Sequence, residues 1–172
     1  TIIQSRIQTT QALYDYFKQA HKPPSVVISG SAIGYYGCGI ANNQPVTEEG
    51  AVEPNFSSQL CADWESAAQQ FEQLGARVCL LRTGIVLGQQ GALSKLLPAF
   101  KFGLGGPIAS GQQWMPWVHI EDMVKIIIYA MQNDINGPIN CTAPQPVTNK
   151  EFSKTLGKVL RRPAVAPMPA VA

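Results

Sequence analysis

Residues 25–37 read SVVISGSAIGYYG, a run that places hydroxyls and glycines directly after a β-branched segment. Two chemistries suit that composition. In the first, the glycines form a turn that lets a dinucleotide pyrophosphate reach the N-terminus of a helix. In the second, Ser29, Gly30 and Ser31 stand at the carboxyl end of a parallel strand, and Ser31 offers a hydroxyl donor and acceptor to a ligand in the crevice above the sheet. The residues after Gly37 separate the two. CGIANNQPVTEEG carries Gly39, Asn42, Asn43 and Pro45, a composition that breaks the helix a pyrophosphate would need. The second chemistry stands, beside the plainer one in which a tight turn uses its serines on its own backbone. Tyr35 and Tyr36 follow Ser31 by four and five residues and serve either as proton donors or as packing aromatics.

Other candidates are isolated. His119 lies in WVHIEDMV between apolar residues, where a structural histidine is as much at home as a catalyst, and Asp122 suits the start of the helix that follows. RTGIVLG over 82–88 is a glycine-bounded turn after an apolar strand, which needs no ligand to explain it. Trp114 and Trp117 either stack on a planar ring or fill a lobe. Cys38, Cys61, Cys79 and Cys141 are widely spaced, no C-x-x-C occurs and there are only two histidines, so no metal site is expected. Without a G-x-S-x-G elbow, a serine hydrolase is disfavoured.

The elements that must carry these residues follow from periodicity. A helix is predicted over 3–20, ended by Pro23-Pro24, and a second over 57–74 with Leu60, Trp64, Ala67, Ala68, Phe71 and Leu74 on one stripe. Buried strands are predicted over 25–29 and 76–82, an extended segment over 114–118 and a short strand over 138–142. Further helices are expected over 91–102, with Pro98 as a candidate kink, over 121–132, and from a Thr148/Glu151 capping box to about Leu160. The Gly103 to Gly111 loop beside Trp114 and Trp117 is expected to be mobile enough to act as a lid. Alternating helices and apolar strands predict an α/β fold with a parallel sheet.

Bulk composition narrows the classes. The chain has 172 residues, 45% hydrophobic and 14% charged, enough apolar material for a packed core. A net charge of +2 without a basic run argues against nucleic acid or an anionic membrane as partner. No apolar stretch approaches the ~20 residues of a membrane span. The scattered cysteines suit free thiols in a cytoplasmic protein. The chain begins Thr1-Ile2-Ile3 inside an amphipathic segment and reads as part of a longer protein.

VVISGSAIGYYG, LCADWE, CLLRTGIVLG, GLGGPIASGQQWMPWVHIEDMV and NGPINCTAPQPVTNKEF occur in an order that resembles the extended short-chain dehydrogenase/reductases, in particular the atypical epimerase-family proteins of the YfcH type. The likeness runs over nearly the whole chain. It implies part of a doubly wound, Rossmann-like parallel sheet with the glycine fingerprint upstream, residues 1–88 belonging to the dinucleotide domain and 89–172 to a continuous small substrate lobe. It implies NADP(H) as cofactor, with NAD(H) as the alternative, a small sugar-like or hydroxyl/carbonyl substrate, and allows a homodimer seam built on the first two helices. Ser31 resembles the family's catalytic serine, with Ser29 and Gly30 beside it. Cys61 and Glu65 stand where the family carries Tyr and Lys. A carboxylate there disfavours a thiolate on Cys61 but is suited to accept from ribose hydroxyls. Arg82, Thr83, Gly84 and Ile85 are expected against the nicotinamide through backbone groups. Gln113, Trp114, Trp117 and His119 belong to the substrate lobe. Sugar-nucleotide epimerases carry an Arg before this block, and residues 112–117 hold none. The implied activity is that of an NAD(P)-dependent epimerase or reductase. The alternative is a non-catalytic NAD(P)H-binding scaffold or redox sensor.

Overall fold

The computed structural model describes residues 1–37 and 45–166, so Cys38 and the 38–44 part of the loop lie outside the described residues. The chain forms two compact units, one of Thr1–Thr83 with Val124–Cys141 and the other of Gly84–Met123 with Thr142–Ala172.

The first unit is built on three parallel strands, β1 (Val26–Ala32), β2 (Arg77–Thr83) and β6 (Gly137–Cys141), in the order β1-β2-β6. β2 is central and buried from Val78 to Arg82, which is why VCLL reads as a continuous apolar run and not an alternating one. α1 (Thr9–Gln19) and α2 (Phe56–Gln69) supply Tyr14 and Ala68 to a core completed by Phe71, Ala76, Val78 and Leu80. Tyr14 meets Phe71 edge to face, with ring centroids 5.5 Å apart. α1 is preceded by a π-helical turn over Gln4–Gln8. α2 starts at Asn55, whose side chain accepts the Ser58 N–H. Its end tightens into a 3-10 turn over Gln70–Leu74 and stops at Gly75, at φ +81°.

Two sequence expectations change here. The first strand does not end at Ser29: Gly30, Ser31 and Ala32 continue the ladder opposite Leu81, Arg82 and Thr83. Small residues satisfy this parallel register without any side chain announcing it. RTGIVLG is not one turn, because β2 runs to Thr83, Gly84 interrupts, and β3 (Ile85–Leu87) begins at once.

The second unit pairs β3 in parallel with β5 (Trp117–His119), and β4 (Trp114–Met115) antiparallel with β7 (Val147–Thr148). α3 (Ala92–Lys101) keeps Pro98 inside it. α4 (Ile120–Gln132) begins in this unit and ends in the first. α5 (Asn149–Leu160) opens with the expected capping box, Thr148 and Glu151 exchanging hydrogen bonds. The Glu151 carboxyl is held below its usual range by the Thr148 backbone N–H and hydroxyl. The 103–110 loop is not arranged as a free lid. Gly105 and Gly106 are buried, the Ile108 N–H is taken by Asn149 Oδ1 at 2.7 Å, and the Gly111 carbonyl by the Lys150 N–H at 2.8 Å. Asn149, itself buried, also donates to Met115 Sδ.

Candidate functional site

At the carboxyl ends of β1, β2 and β6 the first unit holds a buried polar network. Ser31 Oγ donates to Glu65 Oε1 at 2.6 Å. Arg82 grips the same carboxylate with both edges of its fork, Nε to Oε1 and Nη2 to Oε2, each at 2.8 Å. Its Nη1 donates to Tyr36 Oη at 2.9 Å and to the Glu48 carbonyl at 2.8 Å. The Tyr36 hydroxyl donates to Asn140 Oδ1 at 2.7 Å, and the Asn140 backbone N–H donates to Glu48 Oε1 at 2.8 Å. Tyr35 lies face-on to Arg82, with Cζ 3.4 Å from the ring centroid. Glu65 is 4% exposed and Arg82 3%.

The geometry follows from local structure. Ser31 and Arg82 are register partners on adjacent strands, and Glu65 faces them from the middle of α2. A short 3-10 turn, Ile33–Tyr36, sets the two tyrosines just past β1. That turn is pinned to α2 by Ser58 Oγ, which donates to the Gly34 carbonyl at 2.9 Å. A bidentate pair of this burial survives because each charge is fully hydrogen-bonded. Burial by itself pulls the Arg82 guanidinium down, but hydrogen bonds and charge from Glu65 and Tyr36 outweigh it and raise it above its ordinary value.

The network defines what each group can offer. Ser31 gives its one proton to Glu65, so toward a ligand its Oγ is an acceptor. Tyr36 is buried with its hydroxyl used in both directions. The Tyr35 hydroxyl has no hydrogen-bond partner among the described residues, and the residue is half-buried. Glu65 points at Arg82 and Ser31. Arg82 spends its side chain within the network in the same way. The Cys61 thiol is pushed up, first by its own burial and further by the Glu65 carboxylate, against hydrogen bonding from Ala32 and Ser31 and the charge of Arg6. The direction is that expected from the sequence, with burial as the larger cause.

A second cluster adjoins the first. A cavity of about 260 Å³ is lined by Ser5, Arg6, Thr9, Ser29, Gly30 and Trp64, among others. Arg6 lies over the Trp64 ring, 5.4 Å from its centroid, and a Cβ on Gly30 would come within 3.0 Å of the same indole. Ser29 Oγ donates to the Gly30 carbonyl at 3.2 Å. Neither Arg6 nor Asn140 was singled out in the sequence. Arg6 lies in SRIQTT and Asn140 in NGPINCTAPQPVTNKEF, stretches whose residue types signal no particular chemistry.

The remaining candidates serve their own elements. Thr83 Oγ1 donates to the Leu81 carbonyl. The Ile85 N–H is taken by the Pro116 carbonyl at 2.8 Å, and Gly84 packs so closely that a Cβ would meet that carbonyl oxygen at 2.6 Å. Gln113 Nε2 donates to the Ile108 carbonyl, and its own carbonyl takes the Asn149 N–H. Trp114 is 42% exposed on β4, and Trp117 is half-buried on β5. His119 Nδ1 accepts the Glu121 N–H at 3.3 Å, capping α4, with Glu121 and Asp122 in the first turn. No helix among the described residues is long and apolar enough to cross a membrane.

Parallel strands packed with helices, with polar side chains gathered at their carboxyl ends, define a Rossmann-like α/β protein. Residues 1–142 match the NAD dependent epimerase/dehydratase family, and the chain belongs to it. It is 40% identical over 175 residues to the epimerase family protein SAR0825 of Staphylococcus aureus (strain MRSA252), covering 100% of this chain and 58% of the relative. To the epimerase family protein YfhF of Bacillus subtilis (strain 168) it is 38% identical over 170 residues, covering 98% and 55%. The crystal structure of the human epimerase family protein SDR39U1 (isoform 2) with NADPH superposes with a TM-score of 0.88 at 33% identity, over 98% of this chain and 57% of that one. The chain thus spans little more than half the length of the relatives it matches.

Proposed function

We propose that the protein to which this chain contributes binds a nicotinamide dinucleotide and transfers hydride between it and the carbon of a small sugar-like hydroxyl or carbonyl substrate, as an epimerase or reductase. The observation that carries this reading is Ser31, at the carboxyl end of β1, held in one orientation by the Glu65–Arg82 pair. The hydroxyl-rich strand end, with its glycine and neighbouring cation, suits a ribose-bearing ligand. The cofactor, when bound, supplies or takes the hydride. Ser31 accepts a hydrogen bond from the substrate hydroxyl, and that polarity favours the alcohol form. Tyr35, whose hydroxyl has no hydrogen-bond partner among the described residues, is the proton-transferring phenol, and Tyr36 holds Arg82 in place. Glu65 and Arg82 fix the electrostatics around Ser31 without moving a proton, a preorganised frame that costs no rearrangement during reaction. NADP(H) is preferred to NAD(H) on the family likeness, supported by the NADPH in the related human structure.

One observation favours a binding protein without turnover. Cys61 and Glu65 replace the proton-relay pair, and Glu65 is committed to Arg82. Fluorescence titration of the full-length protein with NADPH and NADH, followed by hydride-transfer assays on a carbonyl panel, separates the two. Ser31→Ala is expected to abolish turnover with cofactor affinity intact. Cofactor binding unaccompanied by any Ser31-dependent turnover identifies the scaffold, and failure to bind either nucleotide defeats both readings.

A further inference from the structure

Glu65 neutralises Arg82, so the cation expected one turn beyond Cys61 on α2 is missing from the ligand side of this strand end. Another arginine is at hand. Arg6 lines the cavity beside Ser29 and Gly30, and its Cζ lies 5.4 Å from the ring centroid of Trp64, the residue preceding Glu65 in the chain. Among the described residues its guanidinium makes one hydrogen bond, to the adjacent Ser5 Oγ at 3.2 Å, and no ion pair. A guanidinium carries five N–H donors in a rigid fork, so most of its donor capacity faces a cavity and not the protein. Its backbone is anchored, since Thr10 Oγ1 donates to the Arg6 carbonyl at 2.7 Å within the π-helical turn. Such turns widen a helix locally and recur at functional positions. The charge is also felt at the site, because Arg6 favours the ionised form of the Cys61 thiol. A volume of about 260 Å³ falls below the ~300–1,000 Å³ of pockets that enclose a whole drug-sized ligand, and so suits one moiety of a larger one.

We propose that Arg6 is a cofactor-binding residue, a cation supplied by the first helix in place of one on α2, which hydrogen-bonds the nicotinamide-ribose half of the dinucleotide. Trp64 is its aromatic neighbour, within cation–π range, and Ser5, Thr9 and Ser29 line the same cavity with hydroxyls. The proposal rests on the nicotinamide-dinucleotide reading and adds a residue to it.

The test is equilibrium binding to the full-length protein. NADPH is titrated by fluorescence into wild type, Arg6→Met and Arg6→Lys, with adenosine 2′,5′-bisphosphate as a probe of the adenine half alone. Arg6→Met is expected to weaken NADPH by about tenfold or more, the effect of losing one charge-assisted hydrogen bond, and to leave the bisphosphate unchanged. Arg6→Lys, which keeps the charge and loses the fork, is expected to fall between. A general structural role would weaken both ligands equally, and that result overturns the proposal, as does an Arg6→Met protein that binds NADPH like wild type. Should Arg6→Met fail to fold by circular dichroism, Arg6→Gln against Arg6→Lys decides: equal NADPH affinities in that pair overturn it. Wild type that binds neither NADPH nor NADH defeats the dinucleotide reading itself, whereas wild-type binding with an indifferent Arg6 defeats this inference alone.

Discussion

Two arginines in the first unit, Arg82 and Arg6, show opposite uses of the same group. Arg82 is 3% exposed and directs hydrogen bonds to Glu65, Tyr36 and the Glu48 carbonyl. Arg6 is half-buried, within cation–π range of an indole, and hydrogen-bonded only to its neighbour Ser5 among the described residues. A guanidinium whose donors are taken up by protein acts as structure, because any ligand would have to replace good bonds with equal ones. One whose donors face a cavity still has binding energy to give. Arg82 is the register partner of Ser31 and the charge of Arg6 reaches Cys61, so proximity to the site does not by itself identify a ligand-binding residue.

The comparison breaks most sharply at the ion pair. Glu65→Gln strands the Arg82 charge in the interior and is expected to cost about 3–5 kcal/mol, lowering the thermal midpoint by roughly 6–20 °C at ~2–4 °C per kcal/mol for a chain of this size. The double variant Glu65→Met/Arg82→Met is expected to recover most of that, since buried pairs tolerate apolar replacement. A double variant as unstable as the single one would mean that the pair contributes more than mutual neutralisation. Calorimetry or chemical denaturation reads both.

A pH effect comes next. Burial first, and the Glu48 charge second, raise the Cys141 thiol to about 11. The folded value lies above the unfolded one, so the corresponding stability is fully present below the ordinary thiol range and is lost as pH climbs from about 9 through about 11. A drop in thermal midpoint over that window, flattened in Cys141→Ala, is the expected result. An unchanged midpoint would show that water reaches the thiol. The smallest effect distinguishes the tyrosines. Tyr36→Phe leaves Arg82 and Asn140 each short of a partner and is expected to cost roughly 1–3 kcal/mol. Tyr35→Phe keeps its ring on Arg82 and is expected to stay within about 0.5 kcal/mol of wild type, while removing the phenol proposed to move a proton. Equal losses in urea melts of the two would refute the division of roles between them.

Much of this was legible in the residues. The β-branched run before Ser29, the VCLL strand, the 57–74 stripe and the Thr148/Glu151 capping box each carry a local signal, periodicity or end chemistry, that needs no partner to interpret. Ser31 was legible as a strand-end hydroxyl, and the order of blocks pointed to the family. The same local reading stopped β1 too early, because Gly30 to Ala32 have no β-branched side chains and only the ladder to β2 makes them strand. It took 82–88 for a single turn, because Gly84 hides a change from one strand to another.

The sequence by itself determined the α/β class, the helices, the capping box of Thr148 and Glu151, and the family. Those follow from interactions within a few residues, or from residue identity alone. Only the tertiary structure decided that Glu65 turns to Arg82, 17 positions on, and that Tyr36 reaches Asn140, 104 positions on. It likewise decided that Arg6 keeps its donors for a cavity. Which polar group satisfies which depends on register across the sheet and on burial, because a charge out of water takes whatever partner the packing brings within reach. No spacing along the chain encodes that choice.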